Sequence, residues 1–369
     1  MVASVGVARA LGALACLTFA LTRGVEGVEI LAVRHEPAAL DSRQEDAQVA
    51  IRLGVSEAAR VSIHLYDGRE IRVRTLEQEA PEGEITVTWD GRDHAGRRVP
   101  PEAYTYTIEA VTAQGERAEW DPTDHTGGEE LAVRNAAWSR EEGVVRYGLE
   151  KPGRVRLRVG LRDNGPLLRT VVDWVPRVAG ARGEPWDGRD ASGVLELADH
   201  PALHLVAQAF SLPVNTIVVL PEAPAVELIE ALPDPIVRRI PKVSHRKRMY
   251  DFPQQSIETR RDFPIHLELP PGLKQRGDGV RVVREPVPIR VSVGPDELSR
   301  VVGEQFEAVF YVDGQFHFEV EVGFLPITWT WDPRSSRPGV HYLTANLRGW
   351  EGHFGMATVP VAFERDGGS

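Results

Sequence analysis

A single cysteine, Cys16, is all that the 369-residue chain contains. It lies within an N-terminal apolar run. Downstream of that run no intrachain disulfide, zinc–thiolate site or cysteine nucleophile can form. Basic charge is also short: 43 lysines and arginines face 54 acidic residues, for a net charge of −11. That balance argues against a global affinity for nucleic acid or for an anionic membrane. Motifs of catalysis are missing as well. No G-x-S-x-G elbow occurs, and no glycine-rich phosphate loop precedes a helix. His35-Glu36 opens a zincin-like pattern, but Ala39 stands where the second histidine belongs and Pro37 opposes the required helix. The histidines are scattered, so the reading is of a non-enzymatic chain with no cofactor.

Long apolar runs are limited to one, from Ala10 to Leu21 after Arg9. About a dozen residues suit the apolar core of a signal peptide and fall short of the roughly 20 that a spanning helix needs. Residues 1–27 are therefore expected to be a signal peptide, with Ala20, Gly24 and Gly27 as possible cleavage positions. No membrane span is expected once it is removed. Cys16 offers a lipid attachment point, but Ala13 stands where a lipobox has a large aliphatic residue. Export to the periplasm, the cell surface or the medium is the expectation, with a lipid anchor at Cys16 as the lesser alternative.

Beyond residue 27 the apolar residues recur with period two. Val61, Ile63 and Leu65 alternate with Ser62, His64 and Tyr66, and Val155, Leu157 and Val159 alternate with Arg154, Arg156 and Arg158. Such segments form half-buried antiparallel strands, and no comparable helical period appears. The chain also repeats itself. Trp89-Asp-Gly-Arg-Asp-His-Ala-Gly96 returns as Trp186-Asp-Gly-Arg-Asp-Ala-Ser-Gly193, one sandwich length later. In each copy the tryptophan ends a strand, where its ring can cap a core. Asp90-Gly91 and Asp187-Gly188 supply turns that tolerate positive φ. Asp93 and Asp190 can accept amides within the loop, and Gly96 and Gly193 begin the return.

The segment GEITVTWDGRDHAGRRVPPEAYTYTIEA, residues 83–110, resembles the Ig-like domain of the flagellar hook-capping protein, which is also appended to many secreted bacterial proteins. The resemblance implies tandem antiparallel β-sandwiches. The second copy keeps Trp186 to Gly193 but places Leu203 and Leu205 where the first has Tyr104 and Tyr106. Further on, residues 327–363 resemble the closing strands of other bacterial Ig-like domains through Trp331, Asp332, Pro338, Gly339, His341, Leu343 and Thr344. Asp313-Gly314 between two β-rich runs signals a hairpin. The expected class is all-β: a signal peptide, Ig-like domains at 28–118, 129–221 and 286–366, and a proline-rich linker with possible extra strands at 222–285. Two such strands are 263–269 and 280–285.

Charged clusters and tryptophans supply the remaining candidates. Glu119, Asp121, Asp124, His125, Glu129 and Glu130 cluster at the first junction, and Asp121 and Asp124 are weak calcium candidates. The plainer reading is a solvated hinge, with Pro122, Gly127 and Gly128 leaving the two domains free to move. Arg238, Arg239, Lys242, Arg246, Lys247 and Arg248 form a basic cluster that could dock an anionic partner, or simply be solvated. Trp120, Trp138, Trp174, Trp329 and Trp350 are candidates for stacking on sugars, although strand tryptophans more often serve a core. The expected function is a structural or interaction rod presenting strand edges to proteins of the envelope or cell surface. The alternative is an array of carbohydrate-binding modules.

Overall fold

A computed structural model describes residues 27–220, 237–239, 260–301 and 303–365. Residues 1–26, nearly all of the expected signal peptide, lie outside these residues, as does most of the basic cluster. The first run of strands is β1 (Ile30–Glu36), β2 (Ala39–Asp41), β3 (Val49–Val55), β4 (Ala59–Tyr66), β5 (Arg72–Ala80), β6 (Gly83–Trp89), β7 (Ala103–Thr112) and β8 (Arg117–Trp120). The second is β9 (Glu130–Leu131), β10 (Arg134–Ser139), β11 (Val144–Leu149), β12 (Gly153–Leu161), β13 (Leu167–Arg177), β14 (Gly180–Pro185), β15 (Leu203–Ser211) and β16 (Thr216–Leu220). The third is β17 (Ile265–Glu268), β18 (Arg281–Val283), β19 (Val287–Val293), a short helix α1 (Pro295–Val301), β20 (Phe306–Val312), β21 (Gln315–Gly323), β22 (Ile327–Trp331), β23 (Gly339–Gly349) and β24 (Phe354–Phe363).

Each sandwich sets a three-stranded sheet against a larger one. The orders are β1-β3-β6, β10-β11-β14 and β17-β19-β22, facing β2-β16-β7-β4-β5, β13-β12-β15-β9 and β18-β24-β23-β20-β21. Period-two burial drives the pairing: Val49, Ile51, Leu53 and Val55 of β3 are buried while the residues between them are partly exposed. Asp313 and Gly314 both take positive φ, 51° and 77°, at the turn between β20 and β21.

The first two sandwiches are not separate beads. β4 covers one edge of β7 from Thr105 to Thr112. On the other edge β8 pairs with Ile108–Val111, and β16 pairs with Ala103, Tyr104 and Thr105. β8 and β16 are thus two halves of one last strand, and the chain between them builds the second sandwich. Ile217 and Val219 complete the first hydrophobic core beside Ile51, Trp89 and Tyr104. Thr216–Leu220, expected to close the second domain, therefore belongs to the first sheet. The second sandwich in turn has only the two-residue β9 on the outer edge of β15.

The third sandwich begins earlier than expected from residue 286. β17 pairs with β19, and β18 runs parallel to the end of β24. Phe263, Ile265 and Val283 all enter its core. The two extra strands expected at 263–269 and 280–285 thus form, and they are the first two strands of this sandwich. α1 was not legible as a helical period because it spans only seven residues.

Candidate functional site

The two repeated loops share one construction. Trp89 and Trp186 are 0% and 5% exposed, and their indole N–H groups donate to the carbonyl oxygens of Arg92 and Arg189 at 3.1 and 2.9 Å. Asp90 and Asp187 accept the amides of Arg92 and Arg189. Asp93 accepts the amides of Ala95 and Arg97, both at 2.9 Å. Asp190 accepts those of Ser192, Val194 and Leu195. Burial works against ionisation of Asp93, but bonds from the side chain and backbone of Arg97 hold its carboxyl below the usual range. Gly91, Gly96, Gly188 and Gly193 all sit at φ between 68° and 76°, where a Cβ is costly. At Gly188 added bulk would also meet the Ala198 Cβ at 2.9 Å. In the third sandwich Trp331 is equally buried, yet its indole N–H has no partner. Asp332 there caps a short 3-10 turn, and its bond to Arg334 lowers its pKa to about 2. These residues build loops and cores; they do not converge on a reacting position.

At the first junction the acidic and basic clusters meet. Arg239 pairs with Glu70, with Asp121 at 3.2 Å and with Asp124 at 2.9 Å. Burial opposes the charge on Arg239, but its bonds to Asp124 and Glu70 raise its pKa. Burial pushes the Glu70 carboxyl upward. The guanidinium therefore occupies the place a calcium ion would take between Asp121 and Asp124. Among the described residues no group of three or more potential ligands could hold a metal ion. Arg238 is exposed and bridges to Ile71; Lys242, Arg246, Lys247 and Arg248 lie outside the described residues. Nor does the junction have the form of a free hinge. Asn215 bonds Thr123 at 2.9 Å, the amide of Gly128 donates to Ser211, and a Cβ at Gly127 would strike the Pro213 nitrogen at 2.6 Å.

The alternating arginines of β12 form a second buried polar site. Their face, expected to be solvated, is buried: Arg154, Arg156 and Arg158 are 1%, 6% and 4% exposed. Between them they reach both neighbouring sandwiches. Arg154 pairs with Glu102 of the first sandwich at 2.7 Å. Arg156 donates to the Gly352 carbonyl of the third sandwich at 2.7 Å and stacks 4.3 Å over Trp174. Trp174 takes φ of 53° at a register shift between β12 and β13, and such a bulge re-aims a side chain. Arg158 forks onto Asp262, with Nε to Oδ2 at 2.9 Å, and lies over the Phe354 ring. Burial and the neighbouring Arg158 push Arg156 down to about 9, which leaves it charged at neutral pH. Asp173, beside Asp262, is pushed up to about 6 by burial first and that neighbour second.

Further bonds seal the contact of the second and third sandwiches. Asn346 and Leu167 exchange bonds at 2.8 Å, and the Thr358 amide donates to Ser192 of the second Trp-Asp-Gly loop. Alongside opens a cleft of about 560 Å³ lined by Ser192, Phe263, Ile265 and Met356. Two of its polar groups are already engaged, Asp262 with Arg158 and Thr170, and Ser192 with Thr358. Sequence reasoning missed this interface, although Arg-x-Arg-x-Arg on one strand face was the available signal. Of the candidate sugar-stacking residues, Trp174 and Trp329 are buried, Trp120 and Trp138 are partly buried, and Trp350 is 84% exposed.

The decisive comparison concerns the first repeat. Residues 39–114 match the family described as FlgD Ig-like domain. The match spans β2 to β7 and so stops short of β8 and of the completing strand β16. The second and third sandwiches lie outside it. No curated protein matches the chain. Among solved structures, fibronectin(III)-like modules of Clostridium thermocellum CbhA align over 92% of this chain and 94% of theirs, at 11% identity and a TM-score of 0.20. A bacterial ice-binding adhesin aligns over 92% and 99%, at 9% identity and a TM-score of 0.19. Dimeric latent PorU from Porphyromonas gingivalis aligns over 92% of this chain and 34% of its own, at 9% identity and a TM-score of 0.19. Overlaps this weak carry no argument about function; the sandwich architecture rests on the strand orders above. Tandem Ig-like domains of this kind suggest a structural or interaction module.

Proposed function

We propose that the chain is an exported, non-catalytic scaffold of the bacterial envelope that holds three Ig-like sandwiches together and presents loops and strand edges to protein partners. The observation that carries this reading is the burial of Arg154, Arg156 and Arg158 against both neighbouring sandwiches. Ionisable groups of the kind that do chemistry elsewhere, among them Arg156 and Asp262, are here engaged in bonds that fix one sandwich on the next. The match of residues 39–114 to the FlgD Ig-like domain supports export from a bacterial cell. Envelope fractionation, followed by site-directed crosslinking from exposed loops and mass spectrometry, tests the reading. A defined protein crosslinked reproducibly to one face supports it. Retention in the cytoplasm, or turnover of a substrate by the purified chain, overturns it.

A carbohydrate-binding module array is the second reading. Trp350 favours it, since it stands exposed beside a cavity of about 230 Å³ lined in part by Glu307 and Arg348. An indole face next to a carboxylate and a guanidinium suits a sugar ring. A glycan array decides it, with Trp350→Ala abolishing any signal if the reading holds.

A further inference from the structure

β21 ends its sheet, and among the described residues no strand pairs with its outer edge. An open edge offers a row of unpaired N–H and C=O groups, and soluble proteins ordinarily guard it with charge, bulges or a covering element. Here the edge is apolar as well. Phe316, Phe318 and Val322 are 57%, 45% and 58% exposed, and Phe324, just beyond, is 53% exposed. No other strand among the described residues exposes more than one large apolar side chain. The patch continues onto the β23–β24 turn, because Val322 and Trp350 line the same cavity of about 230 Å³. Set among these residues are Glu319 and Glu321, both exposed. Glu319 stands opposite Val309 of β20, and Glu321 lines the same cavity as Val322 and Trp350. Two register shifts against β20 flank Phe318–Val320, so the regular edge is short.

We propose that β21 is the docking edge for an extended segment of a partner protein in which apolar residues alternate with lysine or arginine, added as a sixth strand beyond β21. The proposal rests on the reading of the chain as a protein-binding scaffold and names its surface. Backbone groups along an open edge are satisfied by another extended backbone. Phe318, Val322 and the cavity under Trp350 supply apolar anchoring, which concentrates binding energy in a few side chains. Glu319 and Glu321 set the choice of strand. They repel an acidic segment, including β21 of a second copy, and attract a basic one.

The test uses the intact chain and two short synthetic peptides, one alternating valine with lysine and one alternating valine with glutamate, titrated calorimetrically. The lysine peptide should bind at least about tenfold more tightly. The double variant Glu319→Lys, Glu321→Lys changes only exposed side chains and should reverse that preference. Equivalent reversal at the exposed Glu77 and Glu79 of the first sandwich should leave it intact. Equal binding of both peptides, or a preference untouched by the β21 reversals, overturns the proposal, as does self-association through β21 in sedimentation. Glycan binding lost in Trp350→Ala, with no peptide binding, assigns the corner to a sugar instead. If the peptides fail while a protein still crosslinks to another face, the scaffold reading survives and only this edge falls.

Discussion

Asn215 and Tyr106 clasp each other where the inserted second sandwich returns to the first. The Tyr106 amide donates to the Asn215 carbonyl at 3.1 Å, and the Asn215 side-chain amide returns a bond to the Tyr106 carbonyl at 2.6 Å. A further bond from the same side chain reaches the Thr123 hydroxyl at 2.9 Å. Asn215 is fully buried. It stands where the last strand of the first sandwich, interrupted after Trp120, is taken up again.

Replacing Asn215 by alanine should therefore lower stability by roughly 1–3 kcal/mol, since buried backbone and hydroxyl groups lose their partner. Urea unfolding of the full chain measures this. An unchanged midpoint would show that the seam is held by other contacts.

A fragment ending at residue 120 should not fold cooperatively, because Ile217 and Val219 are missing from its core. A fragment running from 27 to 220 should. Adding a synthetic peptide of Val214–Leu220 to the shorter fragment should restore a thermal transition. A sharp transition in the short fragment without the peptide would mean that β8 alone completes the sheet.

Arg158→Ala should cost roughly 3–5 kcal/mol, the usual penalty for leaving a buried charge without its partner. Here Asp262 would be left facing Asp173. Small-angle scattering should also show longer interatomic distances as the third sandwich loosens from the second. Unaltered scattering would place the strength of the contact in Asn346 and Leu167 instead.

Asp173 gives the protein a pH signature. Its pKa in the folded chain, about 6, lies above the ordinary aspartate value of 3.8. Between those values the unfolded chain releases a proton that the folded one retains. The stabilisation is complete below about pH 4 and is lost as pH rises to about 6, by at most about 3 kcal/mol. Asp173→Asn should gain stability relative to the wild type at pH 7 and lose that advantage at pH 4, as read by urea unfolding at each pH. A constant difference would mean that the carboxyl ionises normally.

Trp89→Ala and Trp186→Ala should each cost roughly 3–5 kcal/mol, since both delete a buried ring. Phenylalanine at either position should cost less, the loss being chiefly the indole bond to Arg92 or Arg189. A null effect at one site would break the equivalence of the two loops.

Strand class and the repeated loops were legible because their signals are local: alternation along β3, and glycines at fixed offsets from Trp89 and Trp186. What sequence could not show depends on partners distant in the chain. The arginines of β12 carry the same alternation whether water or a neighbouring sandwich covers them. Asp121 and Asp124 look like an open acidic cluster until Arg239 arrives from more than a hundred residues away. Thr216–Leu220 is a generic apolar strand, and nothing in it says which sheet it will join. The first two strands of the third sandwich were legible at 263–269 and 280–285 as short β-rich runs, although the prolines around them look like linker.

The split last strand also fixes an order of events. As the chain emerges from its N-terminus, β1 to β8 appear first but leave one edge of β7 unfinished. That edge closes only when residues 216–220 arrive, after the whole of the second sandwich. Such distant pairing slows folding, because a large loop must be ordered before the contact rewards it. The first sandwich would remain open at that edge until the second had been made, so that the two mature together.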